Sequence, residues 1–203
     1  SSLTTLPASE SKEEFDKKSV LERFDYQLKT SMLNTSNTLK PDFSWASVDI
    51  SEINNQYNLK KYILLFPFCS PHLSIKKWPY YNDLIKLILN NFGDEYKVVT
   101  APGPSEINDA KDFNALALLD NGRALDISQL ASLIKNSSFV IANDTGPAHI
   151  AAHVGAKGLT LFGKHTTAYK VNIERKNFKA IQVNDLNNLS AEKVFERLFN
   201  SLS

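Results

Sequence analysis

The chain predicts an α/β fold, a parallel sheet of short strands with helices covering both of its faces. Three observations carry that expectation. Short apolar runs recur along the chain, among them "KYILLFPF", "FVIAN" and "GLTLFG". Between them lie stretches with apolar residues at spacings of three and four, the period of an amphipathic helix. Glycines, prolines and capping residues punctuate the joins, and strands that are apolar throughout suit a sheet buried on both sides.

Taken in order, residues 1 to about 10 read as a loose polar lead. Ser11 and Glu14 in "SKEEF" have capping-box spacing. They predict a helix over 11–33, with Leu21, Phe24, Leu28 and Met32 along one stripe. "NTSNTLKPDFSW" is rich in Asn, Ser and Thr and reads as a linker. Residues 1–57 are thus expected to be an N-terminal helix and linker, and 58–203 the α/β domain. In that domain "KYILLFPF", "EYKVVTA", "ALALL", "FVIAN", "GLTLFG" and "FKAIQV" are the expected strands. "PYYNDLIKLILNNFG" is a helix with Pro79 near its first turn and Gly93 at its end. "GPSEINDAKDF" is a turn leading into a short helix. "DISQLASLIKNSS" is a helix capped by Asp126, "GPAHIAAHVG" a helix ending at glycine, and "SAEKVFERLFNSL" a closing helix capped by Ser190.

Bulk properties exclude several function classes. A chain of 203 residues is short for two full domains. Its net charge of +1 exerts no general pull on nucleic acid. The single cysteine, Cys69, rules out an internal disulfide and suits a reducing compartment. No apolar run approaches the roughly 20 residues of a membrane span, and the opening residues lack the parts of a signal peptide. A cytoplasmic protein is expected. Without an initiator methionine, the chain reads as a processed or excised piece.

The chemistry concentrates where strands end. Ligands of parallel sheets sit outside the carboxyl ends of the strands, where "NDTGP" follows "FVIAN". A helix starting near Pro147 offers free N–H groups and about half a unit of positive charge to an anion. Gly146 permits close backbone approach, Thr145 offers a hydroxyl, and His149 offers an imidazole N–H one turn on. The turn therefore reads as a phosphate cradle. An Asp144-capped helix with a buried histidine explains the same residues as well. His149 and His153 stand in H-x-x-x-H spacing but lack the Glu and third ligand of a zinc site, so His153 is expected to be a packing or surface residue.

Two further loops share that edge. Ser70, Ser74, Lys76 and Lys77 lie in "CSPHLSIKKWP". A lysine there can meet a diphosphate as a point charge, or the pair can be solvated, although basic residues before a helix start oppose its dipole. In "APGPSEIN", Glu106 can bond ribose or sugar hydroxyls, or simply occupy a first turn. Cys69 has His72 nearby in sequence but reads as an incidental thiol. The three loops imply one shared cleft, with no Ser-His-Asp set and no metal cluster.

In order and spacing, "SPHLSIKKWP", "GPSE" and "ANDTGPAHIAAHVGAKGLTLFG" resemble the ADP-heptose:lipopolysaccharide heptosyltransferases of glycosyltransferase family 9. The family pattern is roughly K-x-W-P, G-x-x-E, D-T-G-x-x-H-x-A and F-G. The likeness covers most of the chain from about residue 20, and "VLERFDYQLKTSMLNTSNTLKPDFSW" resembles the passage between the family's two domains. The resemblance implies the GT-B fold, two Rossmann-like domains facing across a cleft, with this chain as the C-terminal, donor-binding half. It implies that Ser70, Lys76, Glu106, Asp144, Thr145, Gly146 and His149 bind a nucleotide-sugar donor such as ADP-heptose. Lys76, Thr145 and His149 would stabilise the leaving diphosphate in an inverting transfer to a lipopolysaccharide-core acceptor, without metal or other cofactor. A peripheral position at the inner face of the inner membrane goes with that role.

The family's general base and acceptor loop begin its first domain and have no counterpart here. The resemblance therefore implies a half-enzyme that binds nucleotide but turns over poorly alone. A non-catalytic nucleotide-binding or interaction module is the competing class. His153, where the family has a small apolar residue, departs from the pattern.

Overall fold

A computed structural model describes residues 11–202, so the expected polar lead at 1–10 lies outside the described residues. Six strands, β1 (Tyr62–Phe66), β2 (Lys97–Thr100), β3 (Leu116–Ala117), β4 (Phe139–Asn143), β5 (Gly158–Phe162) and β6 (Phe178–Gln182), form one sheet in the order β3-β2-β1-β4-β5-β6. Every pairing is parallel, and β1 takes β2 on one side through Ile63↔Val98 and β4 on the other through Leu64↔Val140. The expected parallel α/β class is therefore the observed one. The order reverses direction between β1 and β4, which opens a crevice at their carboxyl ends.

Side chains alternate across each strand, so one strand feeds two cores. Ile63, Leu65, Phe139 and Ile141 pack beneath α4 (Tyr81–Phe92) and α8 (Ala191–Leu202), meeting Leu84, Ile88, Val194 and Leu198. Leu64, Phe66, Val140 and Ala142 pack on the other face with α5 (Ile127–Asn136) and α6 (Gly146–His153). Ala148, Ala151 and Ala152 are the buried residues of α6, and their small side chains let it lie close to its neighbours. Gly158 serves the same closeness in the sheet, since a Cβ there would collide with the Val140 carbonyl and the Phe178 ring. Asp126 caps α5 through a complete capping box with Gln129, as its position predicted.

Several elements differ from expectation. The helix over 11–33 is two helices, α1 (Lys12–Lys17) and α2 (Val20–Thr30), because Ser19 and Glu22 form a second capping box that starts the chain afresh. Its expected stripe does not survive: Phe24 is largely exposed, and Met32 lies past the helix end in the left-handed region. Upstream of residue 58 the chain is not only linker. A short helix, α3 (Ser51–Gln56), sends Ile53 into the core together with Ile50 and Ala46. Strand β3 is confined to two residues, and a one-turn helix, α7 (Ala168–Val171), follows β5. Among the described residues no helix is long and apolar enough to cross a membrane.

Candidate functional site

A cleft of about 440 Å³ opens at the β1/β4 crevice. Its walls come from the loops after β1, β2 and β4, with Leu125 and Leu130 closing one side. Ser70, Lys76, Glu106, Asp144, Thr145 and Gly146 all line it, so the expected convergence of three loops on one cleft is present. His149 does not line the cleft, but it reaches the site through Asp144.

The floor is fixed by a residue that sequence reasoning passed over. Asn143 ends β4 fully buried, where its Nδ2 donates to the carbonyl of Pro67 at 2.9 Å and its Oδ1 accepts from the Trp78 backbone N–H at 3.3 Å. The Tyr81 hydroxyl lies 3.3 Å from the same Oδ1 and 3.2 Å from the Phe66 carbonyl. One amide thus ties the ends of β1 and β4 to the start of α4. Trp78 donates its indole N–H to the Leu189 carbonyl at 2.7 Å, anchoring the far end of the β1 loop as a packed, buried ring. An amide at the end of an otherwise apolar strand was the available signal.

The helix start is open. Thr145 is the N-cap of α6, with no side-chain cap, and its hydroxyl donates to the Asn143 carbonyl at 3.3 Å. Gly146 and Pro147 form the first turn, the expected start of "GPAHIAAHVG". A Cβ at Gly146 would meet nothing within 4 Å, which leaves the approach to the backbone clear. Asp144 does not cap this helix, contrary to the competing reading of the turn.

Its carboxylate turns aside instead. The side chain is 3 % exposed, and Oδ2 lies 2.7 Å from Lys76 Nζ and 3.1 Å from His165 Nε2. Oδ1 faces His149 Nε2 at 3.7 Å. Burial alone would push this carboxyl upward, but His149, the bonded charge of Lys76 and His165 outweigh it and hold Asp144 well below the ordinary carboxylate range. Lys76 also donates to the Asp144 carbonyl at 3.3 Å, so it is paired at the cleft rather than solvated. His165 was not foreseen, and no local motif around "GKHTT" marks it.

The remaining residues sort simply. Glu106 accepts the Gly103 N–H at 2.8 Å, bracing its own loop while its side chain lines the cleft. Ser70 precedes the 3-10 segment Pro71–Lys76, which is kinked at Leu73, and makes no capping bond with its side chain. Ser74 and Lys77 are exposed. Cys69 contacts the Leu73 carbonyl at 3.6 Å, and burial pushes its thiol up, the reverse of an activated nucleophile. His153 turns to Arg175, 3.4 Å from its Nη2, and so does not join His149 on a common ligand. Among the described residues, no group of three or more His, Cys, Asp or Glu is arranged to hold a metal.

The family model described as glycosyltransferase family 9 (heptosyltransferase) matches residues 9–197. The chain belongs to glycosyltransferase family 9. No curated protein matches it in sequence. Among solved structures, the family 9 glycosyltransferase from Veillonella parvula superposes with a TM-score of 0.71 at 14% identity, over 98% of this chain and 62% of that one. The ADP-heptose lipopolysaccharide heptosyltransferase II of E. coli gives 0.68 at 18% identity, over 91% and 62%. The E. coli heptosyltransferase WaaC, solved with ADP, gives 0.64 at 20% identity, over 89% and 56%. At these identities the family 9 fold is what is shared. The chain spans about 56–62% of the length of these relatives.

Proposed function

We propose that this chain binds the nucleotide-sugar donor of a family 9 glycosyl transfer, with ADP-heptose as the donor and a lipopolysaccharide core as the acceptor. The observation that carries the reading is the uncapped start of α6 at the switch-point cleft, beside Lys76. The Gly146 N–H and the helix dipole there suit a diphosphate, while Pro147 carries no N–H and Ala148 donates to the Thr145 carbonyl at 3.0 Å. E. coli heptosyltransferase II is named for ADP-heptose and WaaC was solved with ADP, which supports the choice of donor.

In the transfer, an acceptor hydroxyl oxygen attacks the anomeric carbon from the face opposite the diphosphate. The carbon–oxygen bond to the diphosphate breaks, and its electron pair leaves with the nucleotide. A base on the acceptor side of the cleft takes the hydroxyl proton. Lys76, Thr145, His149 and the helix start act on the charge that grows on the leaving diphosphate, and contacts that strengthen as the bond breaks lower the barrier. Ser70 and Glu106 serve the phosphate and nucleoside ends of the donor. No step in this scheme calls on a metal.

Calorimetric titration of the 203-residue chain with ADP, UDP and GDP tests the reading. ADP should bind best, and Thr145→Ala and His149→Ala should each weaken it about tenfold, the worth of one hydrogen bond to a charged group. If no nucleoside diphosphate binds, or both substitutions leave affinity unchanged, the donor-site reading fails.

A further inference from the structure

His165 stands apart from the residues on which the donor-site reading rests, yet it touches their centre. It lies in the loop between β5 and α7, 21 positions from Asp144, and its side chain is 8 % exposed. Its ring stacks on Phe162 with centroids 6.0 Å apart and planes at 21°. Its Nε2 is 3.1 Å from Asp144 Oδ2, the same oxygen that Lys76 Nζ holds at 2.7 Å. Its Nδ1 is buried without a hydrogen-bond partner.

That orphaned nitrogen decides the form of the ring. An imidazolium would bury an N–H with no acceptor, whereas the neutral Nε2–H tautomer leaves only a lone pair unmatched. The neutral tautomer still donates to Asp144. Asp144 therefore has two partners on one oxygen, one charged and at the cleft, one neutral and fixed behind it. His149 faces only the other oxygen, at 3.7 Å and beyond hydrogen-bond range, so a carboxylate this buried would lose its close donor at a high cost if Lys76 alone held it. With His165 in place it need not, because Lys76 can turn toward an arriving diphosphate while Asp144 keeps a hydrogen bond.

We propose that His165 is a positioning residue that holds Asp144 as its neutral Nε2–H tautomer and so releases Lys76 to follow the donor's diphosphate. The inference rests on the donor-site reading for its consequence, though the tautomer can be read without any ligand.

The test uses the full 203-residue chain, ADP as probe, and two variants. His165→Phe keeps the ring against Phe162 but removes the donor, while His165→Gln carries an N–H to about the Nε2 position. ADP affinity should fall about tenfold in His165→Phe and return to within about threefold in His165→Gln. Equal affinity in wild type and His165→Phe, or a His165→Gln variant as weak as His165→Phe, overturns the proposal. Imidazole ¹⁵N spectra of the unliganded wild type supply a second readout that does not depend on either variant folding. A neutral ring protonated at Nε2 supports the assignment; an Nδ1–H tautomer or an imidazolium at pH 7 refutes it. Should wild type bind no ADP, the donor-site reading fails on that result, and the spectra still judge the hydrogen bond to Asp144.

Discussion

Replacing Lys76 with methionine keeps most of the side-chain stem and removes the charge that Asp144 faces at 2.7 Å. Breaking a fully buried ion pair from one side costs about 3–5 kcal/mol, because the remaining charge is stranded. Here the loss is smaller. Lys76 is 22 % exposed, and His165 still donates to the same carboxylate oxygen. We expect Lys76→Met to destabilise the fold by about 2 kcal/mol, below the fully buried range. Asp144→Asn should cost less, about 1 kcal/mol, since Lys76 can turn to solvent and the amide oxygen can still accept from His165. The double variant should then be no less stable than Lys76→Met alone, because the stranded charge is gone. Urea unfolding at pH 7, read as midpoint shifts at constant slope, measures all three. The same pair shapes acid unfolding. Asp144 is held below its ordinary value of 3.8, so its contribution is full above that pH and is lost as pH falls through the lower folded-state value. Lys76→Met should shrink that acid-sensitive contribution. A Lys76→Met chain as stable as wild type, or a double variant whose loss equals the sum of the singles, would refute the view of Asp144 as a buried carboxylate held by this lysine.

Two further outcomes follow from residues around the site. Gly146→Ala should fold with unchanged stability, since its Cβ meets no atom within 4 Å, yet weaken ADP binding about tenfold by placing a methyl group at the cleft, and calorimetry beside thermal melting separates the two effects. His153 has its pKa lowered to about 4 from 6.5, first by burial and then by Arg175 and His149. Between those values the unfolded chain binds a proton that the folded chain does not, so stability falls as pH drops from 6.5 to 4. His153→Gln should remove about 1–2 kcal/mol of that fall, the full shift being reduced by solvent screening at this half-buried ring, and a wild-type minus variant difference that stays level across the window would show the coupling to be absent.

Legibility in the sequence tracked how local the cause was. The central strands and α4, α5, α6 and α8 could be read because periodicity and caps act over a few residues. The break at Ser19 was equally local, since "SVLE" carries its own capping box, but the longer apolar stripe masked it. Helix α3 was not legible: "SEINNQ" has one apolar residue and no side-chain cap, and it is helical because Ile50 and Ile53 are buried against the sheet. At the site, "NDTGP" could be read as an anion cradle or as an Asp-capped helix, and of the two the structure removes the Asp144 cap, with Thr145 as the N-cap of α6.

The sequence by itself determined that strands buried on both faces alternate with helices, and that polar loops follow several of those strands. It also determined which family the chain resembles, because ordered motifs survive when overall identity is low. Only the tertiary structure decided what Asp144 does. Its partners Lys76 and His165 come from loops 68 positions before it and 21 after it. They meet because β1, β4 and β5 are neighbours in the sheet. Periodicity states which face of an element is buried, but strand order comes from the packing of the whole sheet. The loops that share an edge are fixed only when that order is.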